Sequence, residues 1–181
     1  MNNYFYQLNT PILKEDEKDE LVELALLHKN NFKAYASMKH GTIDGNQSWR
    51  YYNLFGKSFI TRLTENCNLS CMPLFIRHQP RVEVIRHIDD PNKRNTVLSI
   101  PLTPKVGYPP TYFFTSREAT DPVEIASFPN LNACLLNTQK FHSLINTADT
   151  LRINFQLCFN EPFEQVREMI INKTLFNVPL E

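Results

Sequence analysis

From residue 73 onward the chain is a series of short β-rich runs: PLFIRH, RVEVIRH, TVLSIPLTP, TYFFTS, VEIASF, NACLLNT and LRINFQLCF. Turn-forming residues separate them, as in Asp90-Pro91-Asn92, Lys105-Val106-Gly107-Tyr108-Pro109-Pro110 and Phe128-Pro129-Asn130. Strands recurring about every ten residues, with turn signals between, specify a β-sandwich or barrel rather than parallel βαβ units. Ahead of them, NYFYQLN (3–9) is strand-like. Residues 14 to about 30 place Leu21, Leu24, Ala25, Leu27 and His28 at helical spacing, with acidic residues in the first turn that complement the helix dipole. EPFEQVREMIINKTLF is helical in pattern from about 161 to 172. The expectation is a single domain over 1–181. A helix-containing region, 1–72, packs on a β-core, 73–160, and 161–181 closes the chain as a helix and tail.

Composition narrows the function classes. With 42% hydrophobic and 12% aromatic residues the chain can fill a core. Lysine plus arginine equals aspartate plus glutamate at 19 each, so charge gives no support to nucleic-acid binding. No apolar run approaches the roughly 18 residues of a membrane helix, and MNNYFYQLNTPILKEDEKDE has neither a basic nor an apolar signal region. Reduced thiols are therefore expected for Cys67, Cys71, Cys134 and Cys158, in a cytoplasm, or a host cytoplasm if the chain is viral. Cys67 and Cys71 lack a second Cys/His pair at zinc-finger spacing.

VEVIRHIDD ends one of the β-rich runs with a histidine two residues before an aspartate. In an extended strand Arg81, Glu83, Ile85, His87 and Asp89 share a face, so His87 and Asp89 could project together. Asp90 is one step out of phase, and Asp89 is preferred. One histidine follows, His142, and ten residues beyond it comes Arg152 in LRINFQLCF. That run alternates strictly: Leu151, Ile153, Phe155, Leu157 and Phe159 on one face, Arg152, Asn154, Gln156 and Cys158 on the other. Each group alone has an ordinary explanation, as a histidine–carboxylate pair, a loop histidine or an exposed arginine. Jointly they fit one metal site with an anion-binding neighbour. By placement, Asn154, Tyr112 and Asn137 could line a pocket. His78 and His40 are expected at the surface, and His28 in the core.

His87-Ile88-Asp89, then His142, then Arg152, in an all-β context, resembles the signature of the Fe(II)/2-oxoglutarate-dependent dioxygenases. The runs RNTVLSIPL (94–102) and LLNT (135–138) are similar to small prolyl-hydroxylase-like or aspartyl/asparaginyl β-hydroxylase-like members. The resemblance implies a double-stranded β-helix, a jelly-roll of cupin type, over roughly residues 75–160. It implies Fe(II) held by His87, Asp89 and His142, and 2-oxoglutarate and O₂ as co-substrates. Arg152 would grip the far carboxylate of 2-oxoglutarate, with Asn154 and Tyr112 beside it. Arg94 would be a second carboxylate clamp or a substrate contact. The substrate would be a peptide side chain or a small metabolite, recognised by residues 32–66 and the loops KVGYPP and SREATDPVE. The residue types suit that chemistry. Two imidazoles and a carboxylate hold Fe(II) and leave coordination positions open, and a guanidinium fork pairs bidentately with a carboxylate. A catalytically inactive cupin-like binding module and a structural β-sandwich, viral proteins included, remain the alternatives.

Overall fold

The computed structural model describes residues 2–31, 33–37, 41–50 and 58–177. The expected double-stranded β-helix is present as two antiparallel sheets flanked by three helices. In chain order the elements are β1 (Phe5–Gln7), α1 (Glu15–Leu27), β2 (Lys33–Ser37), β3 (Gly41–Arg50), α2 (Ser58–Glu65), β4 (Cys71–His78) and β5 (Glu83–His87). They continue with β6 (Thr96–Thr103), β7 (Thr111–Phe114), β8 (Glu124–Ala126), β9 (Cys134–Asn137), β10 (Phe141–Ile145), β11 (Arg152–Phe159) and α3 (Phe163–Ile171). The larger sheet has the order β1-β9-β6-β11-β4-β3-β2, and the smaller one β5-β10-β7-β8.

β11 organises the structure because its two faces meet different demands. It is paired along its whole length, with β4 on one side and β6 on the other. Ile153, Phe155, Leu157 and Phe159 enter the main core with Leu21, Leu24 and Ala25 of α1, Ile60 and Leu63 of α2, and Phe163 and Val166 of α3. Each such side chain taken out of water stabilises the fold by about 1.5–3 kcal/mol, which fixes the strand's register. Arg152, Asn154, Gln156 and Cys158 are thereby turned to the opposite face, and they too are buried. The four-stranded sheet covers that face and leaves a cavity between the sheets, lined by residues of both.

A bulge in the smaller sheet corrects the parity expected for His87. His142 pairs with His87, yet Leu144 pairs with Val84, so two steps on β10 match three on β5. The extra residue moves His87 off the face of Glu83 and Ile85 and onto that of buried Val84, which with His87 lines the cavity. β10 itself was not expected as a strand.

Other expectations moved. α1 stops at Leu27, which is 77% exposed, and a 3₁₀ turn over Lys29–Asn31 follows, so the predicted apolar stripe ends with Ala25. His28 is half-buried. The region 1–72 supplies β1, β2 and β3 to the larger sheet as well as helices. The run GTIDGNQSWR of β3 has two glycines and little β-branching, so its strand state follows from pairing with β4 and not from propensity. His40 and the side chains of Trp49, Tyr51, Tyr52, Phe55 and Phe59 lie outside the described residues, as do most side chains of the segment 32–66 expected to recognise substrate. Among the described residues no helix is long and apolar enough to cross a membrane.

Candidate metal centre

Three segments deliver the metal-type ligands. His87 ends β5, Asp89 stands in the loop that leaves it, and His142 lies on β10 directly opposite His87. The imidazole centroids are 4.4 Å apart, and His87 Nε2 lies 3.5 Å from Asp89 Oδ1. One ligand atom from each of the three lies within 4.8 Å of the others, a span that modest side-chain rotation closes onto one ion. It is the only such group among the described residues, and Cys67 and Cys71 form no comparable one.

The surroundings prepare these groups as ligands. His87 Nδ1 is 2.8 Å from the carbonyl of Ile85, and His142 Nδ1 is 2.9 Å from that of Lys140. Each carbonyl can only accept, so each Nδ1 carries a proton, and in the neutral ring Nε2 then holds the lone pair. Burial, reinforced by the neighbouring His87, pushes the His142 imidazole down to about 4, and it is therefore neutral at pH 7. Asp89 is 4% exposed. Burial acts to raise its carboxyl, but the Arg94 guanidinium and the two histidines outweigh burial and hold it below the usual carboxylate range. Asp90 is exposed, and its carboxylate accepts from the Asn92 backbone and pairs with Lys93. The structure thus places Asp89 beside the two histidines and Asp90 at the surface.

The other end of the cavity is cationic. Arg152, 2% exposed, is the first residue of β11 and faces His78, its partner on β4. Its Nη1 donates to His78 Nδ1 at 3.0 Å and to Asn154 Oδ1 at 3.3 Å. The Asn154 amide donates onward to Ser99 Oγ at 3.1 Å. The guanidinium carbon lies 4.5 Å from the ring centre of Tyr108. Neither Arg152 Nε nor the buried Tyr108 hydroxyl has a hydrogen-bond partner. No carboxylate is paired with Arg152 among the described residues. A buried cation with an unmet donor is costly unless an anion completes it. Burial lowers the affinity of this guanidinium for its proton, and it pushes the Tyr108 phenol up to about 12.

No family model and no curated protein matches the sequence. Solved structures do match. A prolyl-4-hydroxylase from Pseudomonas putida superposes with a TM-score of 0.61 at 14% identity, over 87% of this chain and 92% of that one. A Trichoplax adhaerens prolyl hydroxylase, in complex with a hypoxia-inducible-factor peptide fragment, gives 0.59 at 14% identity over 93% and 87%. HygX from Streptomyces hygroscopicus, with nickel and 2-oxoglutarate bound, gives 0.51 at 9% over 86% and 82%. The fold is that of the 2-oxoglutarate–Fe(II) oxygenases. At these identities the likeness is one of fold, and the chemistry has to be argued from the residues of this chain.

Within that oxygenase fold, most of the sequence-predicted residues converge. His87, Asp89, Arg94, His142 and Arg152 line one cavity that opens to solvent. Asn154 lies beside it, aligning Arg152. Arg94 approaches Asp89, with its Nε 3.3 Å from Oδ2, and does not reach toward Arg152. Tyr112 alternates away from its neighbours Thr111 and Phe113 on β7, and Thr111 lines the cavity in its place. Asn137 instead donates to the carbonyl of Asn3 and anchors the N-terminal segment.

Two residues escaped the sequence reading. His78, expected at the surface, is buried at the end of β4, because that strand runs on to residue 78 and its alternation points the side chain at Arg152. Burial and the adjacent Arg152 hold it neutral, well below the usual histidine range. Strand parity from Leu74 and Ile76 was the available signal. Tyr108 offered none, because KVGYPP has no periodicity to follow.

Proposed function

We propose that the chain is an Fe(II)- and 2-oxoglutarate-dependent oxygenase that hydroxylates a peptide side chain or small metabolite. The observation that carries this reading is the presence, within one cavity, of a His/His/carboxylate ligand set and a buried Arg152 with no carboxylate partner among the described residues. A keto diacid has matching ends: a 2-oxo acid that chelates a metal and a second carboxylate that needs a cation. The fold neighbours support the class, and one of them holds a metal and 2-oxoglutarate together.

The donor set fits a divalent first-row ion, since it offers two imidazole nitrogens and one anionic oxygen and leaves positions free for other ligands. His87 and His142 would hold it through Nε2, and Asp89 through a carboxylate oxygen. Fe(II) there would supply the redox chemistry by which 2-oxoglutarate and O₂ give succinate, CO₂ and a hydroxylated substrate.

The protein's own groups bind, orient and shield. Arg152 would receive the far carboxylate through Nε and its guanidinium fork, with the Tyr108 ring stacked on the guanidinium. His78 and Asn154 take the inner edge of the guanidinium, which fixes its plane before any ligand arrives. Ile76, Val84, Val97, Leu136 and Leu144 make the intervening wall apolar, which excludes water and strengthens the charge pairing at Arg152. Fe(II)-dependent formation of succinate from 2-oxoglutarate tests the reading. Succinate should appear with Fe(II) and air and be absent from His142→Ala. No succinate across a panel of peptide and metabolite extracts would contradict it.

A further inference from the structure

Among the described residues the Arg94 guanidinium meets Asp89, one of the metal-type ligands, and Gln156 of β11. Its Nε forms an ion pair with Asp89 Oδ2 at 3.3 Å, outside hydrogen-bond geometry, whereas Asp89 Oδ1 is the oxygen turned toward His87 Nε2. Its Nη2 donates to Gln156 Oε1 at 2.9 Å, so the two arms of the guanidinium are set against β11 and the Asp89 loop. Asn92 and Lys93 turn on Asp90, whose carbonyl accepts from the Arg94 amide, and this brings Arg94 back beneath Asp89. The Arg94 carbonyl is in turn held by Thr138 Oγ1 at 2.7 Å and by the Gln139 side-chain amide at 3.0 Å. Gln139 also donates to the Asp89 carbonyl, and the Asp89 amide donates to the carbonyl of Thr138. The same turn, Thr138–Lys140, supplies the carbonyl that orients His142.

We infer that Arg94 is a positioning residue that reserves one oxygen of Asp89 for the metal by occupying the other. This deepens the proposed function and rests on it. A carboxylate free at both oxygens can chelate an ion and use up a position that the co-substrate needs. With Oδ2 turned to a guanidinium, only Oδ1 faces the imidazoles. Hydrogen-bonded and charged partners of ligating groups commonly set metal affinity by about 10–100-fold. Arg94 therefore acts through Asp89, and the sequence-based role as a second 2-oxoglutarate clamp is replaced.

The test measures Mn(II) alone, in the absence of 2-oxoglutarate, by calorimetry and by the electron paramagnetic resonance line shape of the bound ion. Arg94→Gln should weaken Mn(II) about 10–100-fold and change the line shape, with Arg94→Lys recovering part of the affinity. Gln156→Met, which frees the other arm and keeps the charge, should give a smaller loss in the same direction. Thermal melting of the metal-free variants identifies any that fail to fold, and Gln156→Met then carries the test. The inference is overturned if folded Arg94→Gln binds Mn(II) as the wild type does while His142→Ala does not. It is equally overturned if Arg94→Gln keeps Mn(II) and loses only 2-oxoglutarate, for then Arg94 is the clamp. If His142→Ala also binds Mn(II) normally, the metal site fails and the proposed function with it.

Discussion

At one end of the cavity His87, Asp89 and His142 present lone pairs, with their other polar atoms held by backbone carbonyls and Arg94. At the other end Arg152 presents its guanidinium, stacked on Tyr108, with its Nε left without a partner among the described residues. The two ends are also built differently. The metal-type end sits on β5, β10 and a loop of the smaller sheet, the cationic end on paired termini of β4 and β11 in the larger sheet. One end thus calls for a cation and the other for an anion, and a ligand that meets both must span them.

Substitutions should separate the ends. The largest effect belongs to His142→Ala, which removes one of three ligands and should weaken Mn(II) at least about 100-fold, at the upper limit of what an outer-sphere partner gives. A fluorescence or calorimetric titration checks this, and an unchanged affinity would dissolve the metal end of the comparison. Arg152→Leu should leave Mn(II) binding intact and weaken 2-oxoglutarate at least about 30-fold, since truncating one partner of a buried charge pair costs about 2–5 kcal/mol. Because it also removes a buried cation lacking an anion, the metal-free protein should melt no lower than wild type. A marked drop in melting temperature would show that Arg152 is structural. Asp90→Asn is the smallest, with Mn(II) affinity within about two-fold of wild type, the ordinary range of an exposed substitution. A large loss there would transfer the ligand role from Asp89.

What could be read from the chain followed from periodicity and from resemblance. The alternation of LRINFQLCF placed Arg152, Asn154 and Gln156 on one buried face and the apolar residues on the other, as found. VEVIRHIDD led to His87 and Asp89, but strict parity put His87 with Glu83 and Ile85. A bulge, invisible to a two-residue period, turns it inward. β3 was missed because its glycine-rich sequence takes its strand state from β4. His78 was misjudged because the strand holding it ends one residue before Gln79-Pro80, and those turn residues drew it to the surface. The pairing of Arg94 with Asp89 was not legible, because which acid a guanidinium meets depends on how the Asp90–Lys93 turn folds back. Side-chain partnerships across loops are long-range facts with no local signal.

The most direct test of a cavity with two complementary ends is calorimetric titration of 2-oxoglutarate into the protein with and without Mn(II). One equivalent should bind to the Mn(II)-loaded wild type, and binding should be lost on removing the metal or on replacing Arg152 with leucine. No binding to the loaded protein, or binding indifferent to both the metal and Arg152, would contradict the account.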